Sequence, residues 1–236
     1  HPQHQTLFME VLAARAAKPD PNKGETHQQV QVLLTTHSPQ LAAGAELETM
    51  TMIVGHRAFP LGTAHTRLEA DDYEFLRRFL DATKANLFFA RAIIVVEGDG
   101  EHLLLPVIAE KLGRPLSRHG VSIVNVGHRG LFRYSRILQR KAGNAIAVPV
   151  ALIPDRDIPP PEAKDLVGDR KTENELTQDE IAARLKTLRR DIGDPVDAFI
   201  ADSWTLEFDL ALRPELAESV HQAVQLAKTS SRKTDR

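Results

Sequence analysis

At 236 residues with 42% apolar side chains, the chain is long enough to bury a sizeable core as one domain, or as one domain with an appendage. Its net charge of −2 gives no global attraction to nucleic acid, so any such role must come from a local patch. The absence of cysteine excludes disulfides and thiolate metal sites, and no signal peptide or membrane-length apolar stretch is visible, so no membrane partner is expected and the expected location is the cytoplasm. The chain opens at His1 rather than at a methionine, as expected of a fragment of something longer.

Leu7, Phe8, Val11 and Leu12 fall at helical spacing, and residues 18–25 read as a polar loop. Residues 30–36 are a strand candidate that ends at Thr35-Thr36-His37-Ser38-Pro39-Gln40-Leu41, with Ser38 placed to cap a following helix. This segment resembles the switch-histidine segment of ABC-type ATPase domains, and His1-Pro2-Gln3 resembles the residues just after the Walker B strand in that family. The resemblance implies that His37 faces the γ-phosphate in an intact ATPase; a histidine between a strand and a capped helix is the plain alternative. No Gly-x-x-x-x-Gly-Lys-Ser/Thr occurs, so these residues are not expected to bind ATP. Residues 55–66 are turn-rich and read as a linker. Over residues 69–89, Tyr73, Phe75, Leu76, Phe79, Leu80 and Leu87 form a helical stripe that predicts core packing.

The run Ala92-Ile93-Ile94-Val95-Val96 is β-branched and apolar without alternation, the pattern of a strand in a buried parallel sheet. Glu97 then stands at its carboxyl end, where open α/β sheets bind ligands, and Glu101 falls in the first turn of the next helix. Pro106 is expected to kink that helix or displace its start. Asp99, between two glycines, reads as a turn residue or helix cap. A second strand over residues 121–127 enters the basic turn His128-Arg129-Gly130, followed by a helix carrying Arg133, Arg136, Arg140 and Lys141. A third strand over residues 146–153 runs into Pro154-Asp155-Arg156-Asp157. Residues two apart in extended chain point to the same side, so Asp155 and Asp157 are expected to converge. Each acidic residue has a bland alternative: Glu101 complements the helix macrodipole, and the two aspartates suit a turn before prolines. Together, however, four carboxylates at neighbouring strand ends cannot all ionise without a cation, and hard oxygen ligands suit Mg²⁺ or Mn²⁺.

Pro159-Pro160-Pro161 blocks further strand and opens a charged, mobile-looking connection up to Thr177, where Thr177-Gln178-Asp179-Glu180 matches a capping box. Residues 198–201 read as a short fourth strand, followed by Thr205-Leu206-Glu207-Phe208-Asp209-Leu210, a helical tail and a basic, frayed end over residues 228–236. Alternating strands and helices imply a mainly parallel sheet with right-handed crossovers.

Val96-Glu97-Gly98-x-x-Glu101, Asn125-Val126-Gly127 and Asp155-x-Asp157, in that order, resemble a Toprim domain, the α/β catalytic fold of topoisomerases, primases and several nucleases. With the ATPase-like segment ahead and Thr205-Leu206-Glu207 behind, the order is similar to the OLD (overcoming lysogenization defect) family of ATPase–Toprim nucleases. The resemblance implies an α/β fold with a Toprim-type, mainly parallel sheet flanked by helices, preceded by a remnant of an ABC-type ATPase domain. The corresponding division is residues 1–54 for the remnant, 55–90 for a linker and helix, and 91–236 for the Toprim domain with its helical tail. It further implies divalent-metal-dependent cleavage of DNA, with two Mg²⁺ or Mn²⁺ ions per site, by a homodimer. Glu97, Glu101, Asp155 and Asp157 match the family's acidic positions and Glu207 its later glutamate. Glu101, Asp155 and Asp157 are assigned to one cation, Glu97 and Glu207 to the other. Arg129 and Arg133 are candidates for holding DNA phosphate. Two departures stand out. The family's Gly-Gly-Lys turn is Gly127-His128-Arg129 here, and a lysine motif, Lys-Gly-x-Phe-Ala, is absent from these residues. The competing expectations are a non-catalytic Toprim module that binds DNA or protein, and a strand-passing enzyme, for which neither Tyr73 nor Tyr134 has an obvious nucleophile setting.

Overall fold

The computed structural model describes residues 2–17, 30–127, 130–190 and 192–234. Helices α1 (Pro2–Ala16) and α2 (Pro39–Ala43) come first, and Ser38 caps α2 by accepting from the Leu41 N–H at 3.4 Å. A hairpin follows, β1 (Thr51–Val54) with β2 (Arg57–Pro60), then α3 (Ala70–Phe79) and a 3-10 turn at Lys84–Phe89. The remaining elements are β3 (Ala92–Val96), α4 (Asp99–Lys111), β4 (Val121–Asn125), α5 (Leu131–Arg136), β5 (Val150–Ile153), α6 (Lys164–Val167), α7 (Gln178–Leu188), β6 (Val196–Ala198), α8 (Leu206–Ala211) and α9 (Pro214–Thr234).

Strands β3 to β6 form one parallel sheet in the order β4-β3-β5-β6. The chain leaves β3 toward β4 and returns to the opposite side of β3 as β5, so the β3/β5 boundary is where the winding direction switches. In sheets of this kind ligands bind outside the carboxyl ends of the strands at that boundary. Register places Val96 level with Asn125 on one side and Ile153 on the other. Val95, Val96, Val124 and Leu152 are almost fully buried, each stabilising the sheet by about 1.5–3 kcal/mol. One core runs from Ala42 through Met52, Phe59, Leu76 and Leu87 to the sheet residues Ile93, Val150 and Val196. The hairpin pairs residues on both sides of the 54/55 boundary expected from sequence. Among the described residues no helix is long and apolar enough to cross a membrane.

Several expectations are corrected. Residues 30–36 form no strand: they pair with no neighbouring strand among the described residues, and Leu33 is 95% exposed. Residues 55–66, read as linker, contain β2. Its turn uses Gly55 and His56, both at positive φ (53° and 65°), and a histidine there is not a common turn signal. The third strand is shorter than expected, starting after Pro149, and the fourth lies at Val196–Ala198. Helix α4 runs through Pro106 without displacement of its start. The connection after the three prolines is built of short helical turns joined by ion pairs, including Arg156–Glu173 at 2.8 Å and Lys164–Glu175 at 2.8 Å. The capping box at Thr177 is present, with Glu180 accepting from the Thr177 N–H at 2.8 Å. The tail stays helical to Thr234.

Candidate active site

The carboxyl ends of β3 and β5 are adjacent, and each is followed by an acidic residue. Glu97 comes directly after β3 and is half-buried. Gly98 then turns the chain into α4, whose Asp99 opens the helix. Glu101 folds back so that its Oε2 accepts from the Gly98 N–H at 3.1 Å. This capping contact buries Glu101, leaving it 5% exposed, and fixes its carboxylate at the sheet edge. Asn125, at the end of β4, ties this corner together. Its Nδ2 donates to Asp99 Oδ1 at 2.6 Å, and its Oδ1 accepts from the Gly127 N–H at 3.0 Å. The Asn-Val-Gly motif is therefore a brace between β4 and α4, and it engages Asp99 rather than leaving it as a ligand.

Asp155 follows β5 by two residues and is half-buried. Its Oδ1 accepts from the Leu206 N–H at 3.3 Å, at the start of α8. Burial pushes its carboxyl up to about 6, and the charges of Glu101, Glu207 and Asp157 push in the same direction against the Leu206 hydrogen bond. Thr205 caps α8 by accepting from the Phe208 N–H at 3.3 Å, which sets Glu207 in the first turn. There Glu207 packs on the backbone of α4: a Cβ on Gly100 would meet Glu207 Oε1 at 2.5 Å. The side chains of Glu101, Asp155 and Glu207, distant in sequence, are thus neighbours at the switch between β3 and β5.

Asp157 behaves differently from expectation. Its φ is 59°, so the chain is no longer extended there and the period-two argument fails. Its carboxylate is held by Arg170 at 2.5 Å and Arg184 at 2.9 Å. Arg133 is also engaged. Its guanidinium contacts Asp71 Oδ2 at 3.0 Å and Asp72 Oδ1 at 3.1 Å, and lies 4.8 Å from the centre of the Phe75 ring. Arg129 lies outside the described residues.

Two participants were not assigned from sequence. Gly100 admits Glu207, and the Gly98-x-Gly100 doublet was its only sign. Arg156 binds the loop before α8, donating to the carbonyls of Asp202 at 3.0 Å and Ser203 at 3.4 Å and pairing with Glu173. Its position between the two aspartates was the available signal.

The donor set fits a hard cation in kind: carboxylate oxygens, with burial and then their mutual charge raising the Asp155 carboxyl, and no thiol and no histidine among them. Among the described residues no three Asp, Glu or His side chains are close enough to form a finished metal cage. Like charges at this density repel one another, and the Asp157 carboxylate is turned to its two arginines.

The parallel sheet with acidic residues just past the carboxyl ends of its two central strands is of the Toprim-type α/β class. Residues 88–157 match the family described as "Overcoming lysogenization defect protein-like, TOPRIM domain", a match that supports a metal-binding, nucleic-acid-related Toprim domain over that segment. Among solved structures, the chain is similar to the C-terminal region of the Xanthomonas campestris pv. campestris OLD protein, with 23% identity and a TM-score of 0.33 over 59% of this chain and 72% of that one. It is also similar to the C-terminal region of the Burkholderia pseudomallei OLD protein, with 28% identity and a TM-score of 0.32 over 50% of this chain and 58% of that one. No curated protein matches the chain.

Proposed function

We propose that this chain is the catalytic part of a divalent-metal-dependent DNA endonuclease, hydrolysing phosphodiester bonds with Mg²⁺ or Mn²⁺. The observation that carries the reading is the gathering of Glu101, Asp155 and Glu207 at the carboxyl edge of the sheet, where burial first, and the neighbouring carboxylates second, push the Asp155 carboxyl up to about 6. A protein that served stability alone would place a cation there. Glu101, Asp155 and Glu207, with Glu97 beside them, are the residues that would hold the metal. Bound there, a divalent pair supplies Lewis-acid stabilisation of the phosphoryl and leaving oxygens and lowers the pKa of water.

The protein's own groups prepare this site. The Gly98 N–H fixes Glu101, the Leu206 N–H orients Asp155, and the Gly100 backbone sets the approach of Glu207. The same reading makes DNA the substrate and a homodimer the working unit of a longer ATPase–Toprim protein, with residues 1–54 as the ATPase remnant and no ATP held by these residues. Plasmid DNA incubated with the folded protein tests it: nicking with Mg²⁺ or Mn²⁺ that EDTA abolishes is expected. No nicking with either metal overturns it in favour of a non-catalytic Toprim module. That second reading draws on the ion pairing of Asp157 and Arg133, which engages one expected ligand and one expected phosphate contact inside the fold.

A further inference from the structure

A cleft of about 980 Å³ lies between the start of α3 and α5, on a different part of the surface from the carboxylates. Five cations line it: Arg67, Arg133, Arg136, Lys141 and Arg190. Glu69 and Asp71 are the acidic residues on its walls, with Asp72 buried beneath. Arg133 and Arg136 form a fixed floor, because both guanidiniums are bound to Asp72 and Arg133 also neutralises Asp71. Arg67 is exposed and, among the described residues, its side chain makes no ion pair. The Lys141 ammonium donates to the Thr63 carbonyl at 2.8 Å, a neutral partner that leaves its charge in place. Arg190 is exposed on the rim. In a chain of net charge −2 this is a local excess of positive charge in a concave surface, where the protein walls focus the field.

The direction of the cleft identifies its ligand. Gly130 and Leu131, which open α5, stand just after β4 at the carboxyl edge of the sheet, the edge that carries Glu97 and Asp155. Lys141 and Arg190 stand in the connections that lead into β5 and β6, at the opposite edge. A small anion needs one locus, whereas cations spread from one edge of the sheet to the other suit a chain of regularly spaced phosphates.

We infer that this cleft binds the phosphodiester backbone of DNA and carries the strand away from the carboxylate edge. The choice of DNA among polyanions rests on the nuclease reading; the existence of the binding track does not.

The test is fluorescence anisotropy of a labelled DNA duplex across a salt series in EDTA, where no cleavage intervenes. The triple variant Arg67→Gln/Lys141→Gln/Arg190→Gln removes three exposed charges, and an unchanged melting temperature confirms that it folds. It is expected to weaken binding at least about tenfold and to flatten the slope of log affinity against log salt by about 0.9 for each phosphate no longer neutralised. A control, Lys111→Gln/Arg114→Gln/Arg118→Gln, removes the same charge elsewhere and is expected to bind as wild type. Equal weakening in both triples, no weakening in the first, or no DNA binding by the wild-type chain each overturns the track. Displacement of DNA by inorganic phosphate at constant ionic strength also overturns it, in favour of a small-anion site. Failure of the nuclease reading is separate: it appears as absent nicking with metal, whatever the anisotropy shows.

Discussion

Asp72 and Asp155 are both acidic side chains withdrawn from water, yet the chain surrounds them with opposite charge. Asp72, in α3, is fully buried, and two arginines of α5 reach it: Arg133 at 3.1 Å from Oδ1 and Arg136 at 2.9 Å from Oδ2. The Glu69 N–H adds a hydrogen bond at 3.0 Å. Asp155, just past the carboxyl end of β5, has the Leu206 N–H at 3.3 Å and the carboxylates of Glu101, Glu207 and Asp157 as its electrostatic neighbours. The first arrangement lowers the energy of the folded chain. The second raises it, through burial first and through the neighbouring carboxylates second, and under the proposed function a bound cation offsets that repulsion. One residue type therefore serves stability in one place and, on the proposed function, metal binding in another.

Substitution separates the two. Asp155→Asn keeps the shape and the Leu206 hydrogen bond but removes a ligand charge worth several kcal/mol in the transition state. Plasmid nicking is expected to fall by about a thousandfold or more. Retained nicking in the folded variant removes Asp155 from the site. Asp72→Asn acts on the fold instead, taking the buried counter-charge from two partly buried guanidiniums, Arg133 and Arg136. The expected loss is about 2–3 kcal/mol, equivalent to roughly 5–10 °C in melting temperature at this chain length. A smaller loss than about 1 kcal/mol, measured by denaturant titration, means that water or another acid replaces Asp72.

The comparison sharpens with pH. The Asp155 carboxyl sits at about 6 in the folded state against an ordinary value of 3.8, so between these values the folded chain binds more protons than the unfolded one. Its contribution to stability is therefore fully present below about 3.8 and lost as pH rises through about 6. Asp155→Asn, which never ionises, is expected to melt higher than wild type above pH 6, by about 1–2 kcal/mol after allowance for solvent screening. The gain should vanish toward pH 4. Adding Mn²⁺ at neutral pH should close the gap by raising the wild-type melting temperature alone. A wild-type chain that melts above the variant at neutral pH contradicts the crowding argument.

Legibility in the sequence followed the range of the interactions. The unit from β3 through Glu97 and Gly98 to Glu101 was readable because its pattern is local, an apolar run, a glycine turn and a first-turn acid. The Thr177–Glu180 cap was readable for the same reason. The destination of Asp157 was not, since its partners lie 13 and 27 residues downstream and its left-handed backbone removes the alternation on which the expectation relied. Asp72 carries no sequence signal of burial beyond its place in the first turn of α3, because its partner Arg136 is 64 residues away. Residues 30–36 carry a strand-like composition, but a strand exists only beside a partner, and composition does not supply one. Of the candidate site, the identity of Glu101, Asp155 and Glu207 was visible early. What holds them was not: the Asn125 brace, the Arg156 anchor and the missing side chain at Gly100 whose place Glu207 takes.

Gly100→Ala turns that missing side chain into a test. In a helix, alanine ordinarily gains a few tenths to about 1 kcal/mol over glycine. Here the new methyl meets Glu207 Oε1, the end of a side chain that can move. Stability is expected to change by less than about 1 kcal/mol, while nicking falls about tenfold because Glu207 is displaced. Unchanged nicking together with a higher melting temperature means that Glu207 is a surface residue of α8 with no part in the chemistry.

The smallest effect concerns the arginines on Asp157. Arg170 and Arg184 are each more than 40% exposed, as is Asp157, so each pair contributes only about 0–1 kcal/mol. Pairs this weak are broken readily by a competing cation, which gives Asp157 two destinations: the arginines, or the neighbourhood of Asp155. The double variant R170Q/R184Q removes the first. Its folded stability is expected to drop by about 1 kcal/mol or less, and calorimetric titration should show Mn²⁺ binding a few-fold more tightly as the freed carboxylate joins the others. An unchanged Mn²⁺ affinity assigns Asp157 to the arginine clamp alone, and Asp157→Asn then nicks plasmid like wild type. Either result decides whether the motif's second aspartate shares the work of Asp155 or that of Asp72.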